Sequence, residues 1–359
     1  MQLRVACVIP CFNEALVLHD TLASVLAAGL RPEDVLVVDD CSSDETSLIA
    51  EKFDVRLLRN VRNMGKSKSL ARAIDELTRL GHHEFLSVLD ADTLADPEYF
   101  RTVVRAFQAD RDVVLVCGQP RSRRHNWLTA FRAAEYAVSH RVYKQAQQKM
   151  SAITVAPGCA STYRMAVLEH LEWNPAILTE DADTTVQIYR KNLGRVVYEK
   201  RAIVHTQDPG TIRALNGQLH RWYTGYWQVV VQHGLPFGGQ RIDAEFALLA
   251  GEGLLFAILL LTLPLWLLAS PELAGYYLLA DQILSISVAS VVAVTQRRID
   301  VIAYAPLFIV PRLMISLIFL ITFIQIVLLR RNAAAWFSPP RYVSQPRAMS
   351  TLRVGESDA

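Results

Sequence analysis

Gly253 to Ser270 runs for 18 positions without a charged side chain, and nothing else in the chain narrows its fold as much. About 20 apolar residues cross the hydrocarbon core of a bilayer, so this stretch predicts a membrane helix. Two further apolar stretches follow: Leu273 to Val294, interrupted mainly by Asp281-Gln282, and Val301 to Leu329, broken by Pro306, Pro311 and Arg312. The second also predicts a span. For the third we expect a hairpin or interfacial segment around Pro306–Pro311, because a full crossing would carry Arg330, Arg331 and Arg341 outward against the positive-inside bias. Asp281 is costly in hydrocarbon and is expected to face protein or a wet path.

Hydrophobic residues make up 52% of the chain, above an ordinary soluble domain, and the excess sits in this last third. The division expected is a cytosolic domain over 1–240, with an interfacial helix region at 211–235, membrane or interfacial helices over 241–332, and a polar cytosolic tail over 333–359. A net charge of +2 gives no reason to expect a nucleic-acid partner. Met1 to Arg4 leads straight into the strand-like run Val5–Ile9 with no signal-peptide pattern, so residues ahead of the first span are expected in the cytosol, at a multi-pass plasma-membrane location. The five cysteines, Cys7, Cys11, Cys41, Cys117 and Cys159, are scattered without metal-type spacing, as in a reducing compartment.

Ahead of the apolar region, β-rich runs (Arg4–Pro10, Val35–Asp39, Val55–Leu58, Phe85–Leu89, Val113–Cys117) alternate with helix-compatible segments (Glu14–Ala28, Ser67–Leu80, Pro97–Ala109). This pattern predicts an α/β fold with a mostly parallel sheet, whose ligand crevice lies beyond the carboxyl ends of the strands. Pro97 is expected in a first helical turn capped by Asp96. Asp39-Asp40 and Asp90-Ala91-Asp92 both fall where a strand pattern stops. Acidic pairs gathered by a fold repel, and a cation such as Mg2+ or Mn2+ is the simplest way to stabilise them. In Asp90-Ala91-Asp92 one carboxylate can reach the metal while the other touches a ribose or a water; a capped polar turn is the alternative.

Pro10-Cys11-Phe12-Asn13-Glu14 and Asp39 to Thr46 end the first two strands, where Asn13 and Asp44 read as helix caps, as crevice-lining groups, or as both. Asn63-Met64-Gly65-Lys66 offers a glycine turn and a cation suited to an anionic nucleotide, with a solvated surface lysine as the alternative. Thr179-Glu180-Asp181 opens a helical pattern: either Thr179 caps it, or Asp181 is a general base for an acceptor hydroxyl. In Gln218-x-x-Arg221-Trp222, helical spacing brings the three side chains onto neighbouring faces, where Arg221 can pair with a diphosphate and Trp222 can stack on a sugar ring. Tyr223, Tyr226 and Trp227 read as an interfacial aromatic belt. Arg121 to His125 reads as a solvated basic loop, with anionic lipid as the alternative.

With these residues in place, the chain resembles the membrane-bound, processive family 2 glycosyltransferases: cellulose, chitin and hyaluronan synthases, the nodulation chitooligosaccharide synthase and the poly-N-acetylglucosamine synthase. The resemblance covers about residues 3 to 340 and rests on Asp39-Asp40, Asp90-Ala91-Asp92, Pro157-Gly158-Cys159-Ala160-Ser161-x-Tyr163-Arg164, Thr179-Glu180-Asp181 and Gln218-x-x-Arg221-Trp222. It implies a GT-A domain binding a nucleoside-diphosphate sugar, usually a UDP-sugar, followed by membrane helices. Pro10, Asn13, Glu14, Asp39, Asp40, Lys66, Asp90, Gln218 and Arg221 are then donor-binding, with Asp39 at the base. Asp92, with Asp90, holds Mg2+ or Mn2+. Asp181, with Glu180 beside it, is the base of an inverting displacement. Gly158, Cys159 and Trp222 receive the acceptor, though a packed small-residue turn at Gly158 to Ser161 stays open. Trp336 to Pro340 stands where the cellulose enzyme has a gating segment. The function implied is extension of a β-linked saccharide at a lipid bilayer. The rivals are single-sugar transfer to a lipid or polyprenyl phosphate and an inactive membrane scaffold, and a homo-oligomer is compatible with each.

Overall fold

The computed structural model describes residues 4–331 and 337–343. Eight strands form one sheet: β1 (Val5–Cys11), β2 (Val35–Asp39), β3 (Arg56–Arg59), β4 (Phe85–Val88), β5 (Leu94–Ala95), β6 (Val113–Ser122), β7 (Ser161–Arg164) and β8 (Arg195–Thr206), in the order β3-β2-β1-β4-β7-β6-β8-β5. The β3-β2-β1-β4 set and the β6/β8 pair are parallel, while β7 runs antiparallel to both of its neighbours.

β1 is apolar at nearly every position because both of its faces are covered. Val5, Cys7 and Ile9 point into one core with Leu18, Leu22, Phe100 and Phe107, and Ala6 and Val8 point into the other with Leu70, Leu77 and Ile188. The strand's two-residue period thus sorts one sequence into two layers.

Five strands match the expected runs to within a residue or two at their starts, although β6 continues past Cys117 to Ser122. Helices form at Ala15–Ala27, Lys66–Leu80 and Tyr99–Ala109. Pro97 lies ahead of its helix rather than in the first turn, and Asp96 accepts from the Glu98 and Tyr99 amides instead. Of the strands that patterning missed, β5 is only the two residues Leu94–Ala95, and the two longer ones carry polar or charged sequence. β7 reads Ser-Thr-Tyr-Arg, and in β8 the charged Glu199-Lys200-Arg201 sits where the register against β6 shifts. A bulge of this kind breaks apolar alternation.

Arg241–Ala269, Pro271–Gln296 and Asp300–Leu328 are each long and apolar enough to cross a membrane by length and composition. The third does not reverse at Pro306–Pro311; helical turns continue from Asp300 to Leu328, with Pro306 in a short 3₁₀ turn at Ala305–Phe308 that tolerates its missing N–H. Asp281 is buried against protein, 2.5 Å from the Arg312 guanidinium on that third helix. The third helix also corrects the aromatic belt. Trp227 is buried by Phe319 and Phe323, both at 4.9 Å between ring centroids, and its indole N–H donates to the Phe319 carbonyl at 3.3 Å.

Candidate active site

The acidic pairs leave the sheet at the carboxyl edge of the parallel set, where Cys11 is level with Asp39 and Asp39 with Arg59. Asp40 shapes the next loop. Its Oδ1 accepts from the Asn60 side-chain amide at 2.7 Å and the Met64 N–H at 2.8 Å, and its Oδ2 from the Gly65 N–H at 2.7 Å. Gly65 at φ +83° then starts the helix with Lys66 as its first residue. The Lys66 ammonium lies 2.7 Å from Asp90 Oδ1 and 3.0 Å from Glu180 Oε1. Burial works against that charge, yet Asp90, Glu180 and Asp181 together raise Lys66 above its ordinary range, so it is a fixed cation. Burial likewise works against ionised Asp90, and the Lys66 ammonium, joined by Arg341 and Arg221, more than offsets it, holding the carboxyl below its usual range.

The helix Glu180–Arg190 opens with three acidic residues in its first turn, where the helix dipole favours them. Thr179 occupies the cap position, but its hydroxyl makes no cap bond. The side chain is spent on packing: a methyl at Gly225 would come within 2.5 Å of Thr179 Cγ2 and Oγ1, so glycine there lets the Ile212–Gln232 helix close onto the site. Asp181 Oδ2 accepts the Gly158 N–H at 2.9 Å. Burial first, then the neighbouring Glu180, push the Asp181 carboxyl up to about 6. Such a carboxylate takes a proton readily near neutral pH, as a general base must.

A side chain at Gly158 would meet Lys66 Nζ at 2.9 Å. Gly158→Ala is therefore expected to push the ammonium off Asp90 and Glu180. The turnover rate should fall by as much as about 10²-fold, the scale of a misplaced catalytic group, and the melting temperature should fall with it, because Asp90 and Glu180 lose their cation. Steady-state rates alongside thermal melts check this.

These groups surround a cavity of about 600 Å³. Of the site residues expected from sequence, all line it except Asn13 and Asp39. Asp39 is fully buried; its Oδ1 accepts the Ser42 N–H at 2.8 Å, its Oδ2 takes the Ser47 hydroxyl, and the Arg59 guanidinium stands 3.5 Å away. Asn13, at φ +56°, turns its Oδ1 to the Ser43 N–H at 2.8 Å. Both hold the Ser42–Ser47 turn, and Asp44 caps two helices from within it, accepting from Ala15 and Thr46 N–H at 3.0 Å each. Gln218, Arg221 and Trp222 reach the cavity from one helix. Gln218 Oε1 is buried and has no partner among the described residues. Burial pulls Arg221 below its ordinary range, against the pull of Glu180, Asp90 and Asp181.

Sequence reasoning missed a second group of wall residues. Residues 337–343, expected in the polar tail and, as far as Pro340, likened to a gating segment, lie across the site, with Phe337 against Gly217; what went unforeseen is Arg341 and Tyr342. Trp336 of the expected gating segment lies outside the described residues. Arg341 inserts its guanidinium between Glu14, at 2.6 and 2.7 Å, and Asp92. Burial raises Asp92 above the usual carboxylate range, with Asp90 adding to the rise and Arg341 opposing it. Tyr342 stacks on His125 at 3.8 Å between centroids and hydrogen-bonds Gln207 through its backbone at 2.8 and 3.2 Å, so that part of the basic loop is packed. No periodicity announces a lone arginine beyond the last helix; the only available signal was its place after the apolar segment.

Among the described residues no group of three or more His, Cys, Asp or Glu is arranged to hold a metal. The residues nevertheless fit a hard divalent cation. Asp92 already faces a cationic group, and magnesium-type sites use one or two carboxylates plus substrate phosphates rather than an all-protein cage.

A profile of the family described as "Glycosyltransferase like family 2" matches residues 3–225. The chain belongs to glycosyltransferase family 2. Its curated relatives include the poly-beta-1,6-N-acetyl-D-glucosamine synthase of Staphylococcus epidermidis strain RP62A, 28% identical over 232 residues, which are 63% of this chain and 55% of the relative. The synthase of the same name from Staphylococcus aureus strain COL is 27% identical over 228 residues, 62% of this chain and 54% of the relative. The match thus spans little more than half the length of these relatives. Among solved structures, the mannosyltransferase PcManGT from Pyrobaculum calidifontis, in complex with GDP-Man and Mn2+, superposes with a TM-score of 0.59 at 17% identity, over 88% of this chain and 87% of that one. The fold is GT-A-like, a curled and mostly parallel sheet followed by C-terminal helices.

Proposed function

We propose that this family 2 glycosyltransferase sits in the cell membrane with its catalytic domain in the cytosol. There it moves a sugar from a nucleoside-diphosphate donor, a UDP-sugar, to the end of a growing β-linked saccharide. The observation that carries this reading is Asp181, a half-buried carboxylate with its pKa pushed up to about 6, in one cavity with Lys66, Arg221 and Trp222. Asp181 takes the proton of the acceptor hydroxyl as that oxygen bonds to the anomeric carbon, and the bond from that carbon to the diphosphate breaks with inversion. Lys66 and Arg221 supply positive charge for the departing diphosphate, and Trp222 offers a ring for the acceptor sugar to stack on. A divalent cation, Mg2+ or Mn2+, held by Asp92 with Asp90 beside it, would neutralise charge building on the diphosphate.

We read the first two apolar helices as a membrane hairpin and the third as interfacial. Ahead of the third, Arg298 donates to the Ser122 carbonyl at 3.1 Å, and beyond it Arg341 reaches Glu14 and Asp92, so the chain meets the catalytic domain on both sides of it.

The test uses purified protein in lipid nanodiscs with Mn2+ or Mg2+ and a panel of UDP-sugars, UDP-N-acetylglucosamine first in view of the relatives' names. A cation-dependent ladder of saccharides supports the reading. One sugar on a lipid or polyprenyl phosphate would replace it with single addition, and no UDP release above an Asp92→Asn control, with lipid acceptors also supplied, would overturn the UDP-sugar reading in favour of a different donor or an inactive scaffold. Arg341→Ala uncovers Asp92 and Glu14. In the absence of donor it is expected to bind Mn2+ several-fold more tightly, read as loss of the free-Mn2+ electron paramagnetic resonance signal. Unchanged or weaker binding would remove Asp92 as the cation's seat.

A further inference from the structure

Arg132, on the Trp127–Val138 helix, is 1% exposed and forms part of the cavity wall, although nothing in the reaction above uses it. A buried guanidinium must be paired, and replacing such a pair with apolar residues often costs no stability. Its presence in a cavity wall therefore calls for a use. Nε donates to Asp208 Oδ1 at 3.1 Å and Nη1 to Glu135 Oε2. The Tyr136 hydroxyl donates to the same Asp208 oxygen at 3.0 Å. With its edge held this way, the guanidinium lies 4.6 Å from the centre of the Tyr136 ring and 4.7 Å from that of Trp222. The indole is only half-buried and borders the cavity. Asp208 is tied in turn to the strap over the site, its carbonyl accepting the Tyr342 hydroxyl at 3.0 Å.

We propose that Arg132 is the positioning residue for the acceptor sugar: locked by Asp208 and Glu135, its flat cation backs the Trp222 indole and fixes the plane on which the sugar stacks. This rests on reading Trp222 as the acceptor's platform. A ring free to rotate would present the sugar in many poses, and the Asp181 carboxylate needs the attacking hydroxyl in one. The guanidinium suits the task because it stacks on an aromatic face while its edge is held by carboxylates, which an ammonium cannot do.

The experiment measures acceptor KM, donor KM and acceptor-independent donor hydrolysis for Arg132→Lys, Trp222→Leu and the double variant in nanodiscs. Lysine keeps the charge beside Asp208 and Glu135, which protects folding, but lacks the flat face. Arg132→Lys is expected to raise acceptor KM about tenfold, leaving donor KM and donor hydrolysis unchanged. In the Trp222→Leu background the same substitution should add less than about twofold, because the two residues act as one unit. The proposal is overturned if acceptor KM does not move, if the same factor appears in both backgrounds, or if donor hydrolysis falls in step with transfer. Should Arg132→Lys not fold, Asp208→Asn, which loosens the guanidinium without removing it, must give the same KM split or the proposal fails. If the unsubstituted protein transfers nothing to a saccharide, the platform reading itself falls; transfer with an unmoved KM sinks Arg132 alone.

Discussion

Asp181→Asn is expected to abolish sugar transfer while leaving nucleotide binding largely intact. Asparagine keeps the shape of the side chain and can still accept the Gly158 N–H, but it cannot take a proton. A positioned general base contributes about 10²–10⁴-fold, so the residual rate should lie at or below that margin. Single-turnover transfer measured beside donor calorimetry separates the two effects, and full turnover would remove Asp181 as the base. The pH dependence follows from the same carboxylate. Because burial and Glu180 hold it at about 6, the acceptor kcat/KM should be level above that pH. Below it the rate should fall about tenfold per pH unit, since only the ionised form accepts the proton. Stability runs the other way. A carboxyl whose folded pKa lies above its unfolded value costs stability once the pH rises through the folded value. Asp181→Asn should therefore melt higher than the unsubstituted protein above pH 6, and by less below it.

The sheet's central strands were legible because β1, β2 and β4 are buried at nearly every position and read as mainly apolar runs. β7 and β8 were not, because hydrogen bonding to neighbours, rather than apolar content, holds a strand of Ser161, Thr162, Tyr163 and Arg164 in place. That Glu14, Asp40 and Asp90 meet at one crevice could be anticipated from strand ends; that Glu180 and Asp181 join them was an implication of the family resemblance, since their motif alone reads equally as a capped helix start. What patterning could not supply is which way a side chain turns. Asp39 and Asp40 are adjacent in sequence, yet one is used up inside the Ser42–Ser47 turn and the other holds the Gly65 loop at the cavity's edge. Arg132, Asp208 and Arg341 stayed hidden for a further reason. Each works through a partner 76 or more residues away, and sequence spacing carries no trace of such pairs.

Lys66→Met should have the second large effect, and its sign can be worked out from the charges around it. The ammonium is the cation between Asp90 and Glu180, and it lowers Asp181 as well. Without it the buried Glu180 and the half-buried Asp90 and Asp181 face one another. Removing one partner of a fully buried pair costs about 3–5 kcal/mol; solvent screens the part-exposed Asp90, so a smaller but clear loss of stability is expected at pH 8. At pH 5 the carboxyls can take up protons and relieve the repulsion, and the loss should be smaller; melts at the two pH values measure the difference. Transfer should suffer twice. The donor's diphosphate would enter a site with one fixed cation fewer, weakening its binding, and the acid limb of the pH–rate profile should move up from about 6, because the charge that favoured ionised Asp181 is gone. Lys66→Arg should restore stability better than transfer. The larger guanidinium keeps the charge but meets the Gly158 backbone, where even a methyl would stand 2.9 Å from Nζ. A Lys66→Met enzyme whose acid limb stays near pH 6 would show that Asp181 owes its pKa to burial and Glu180 alone, and would leave Lys66 with the diphosphate as its only charge partner in the reaction.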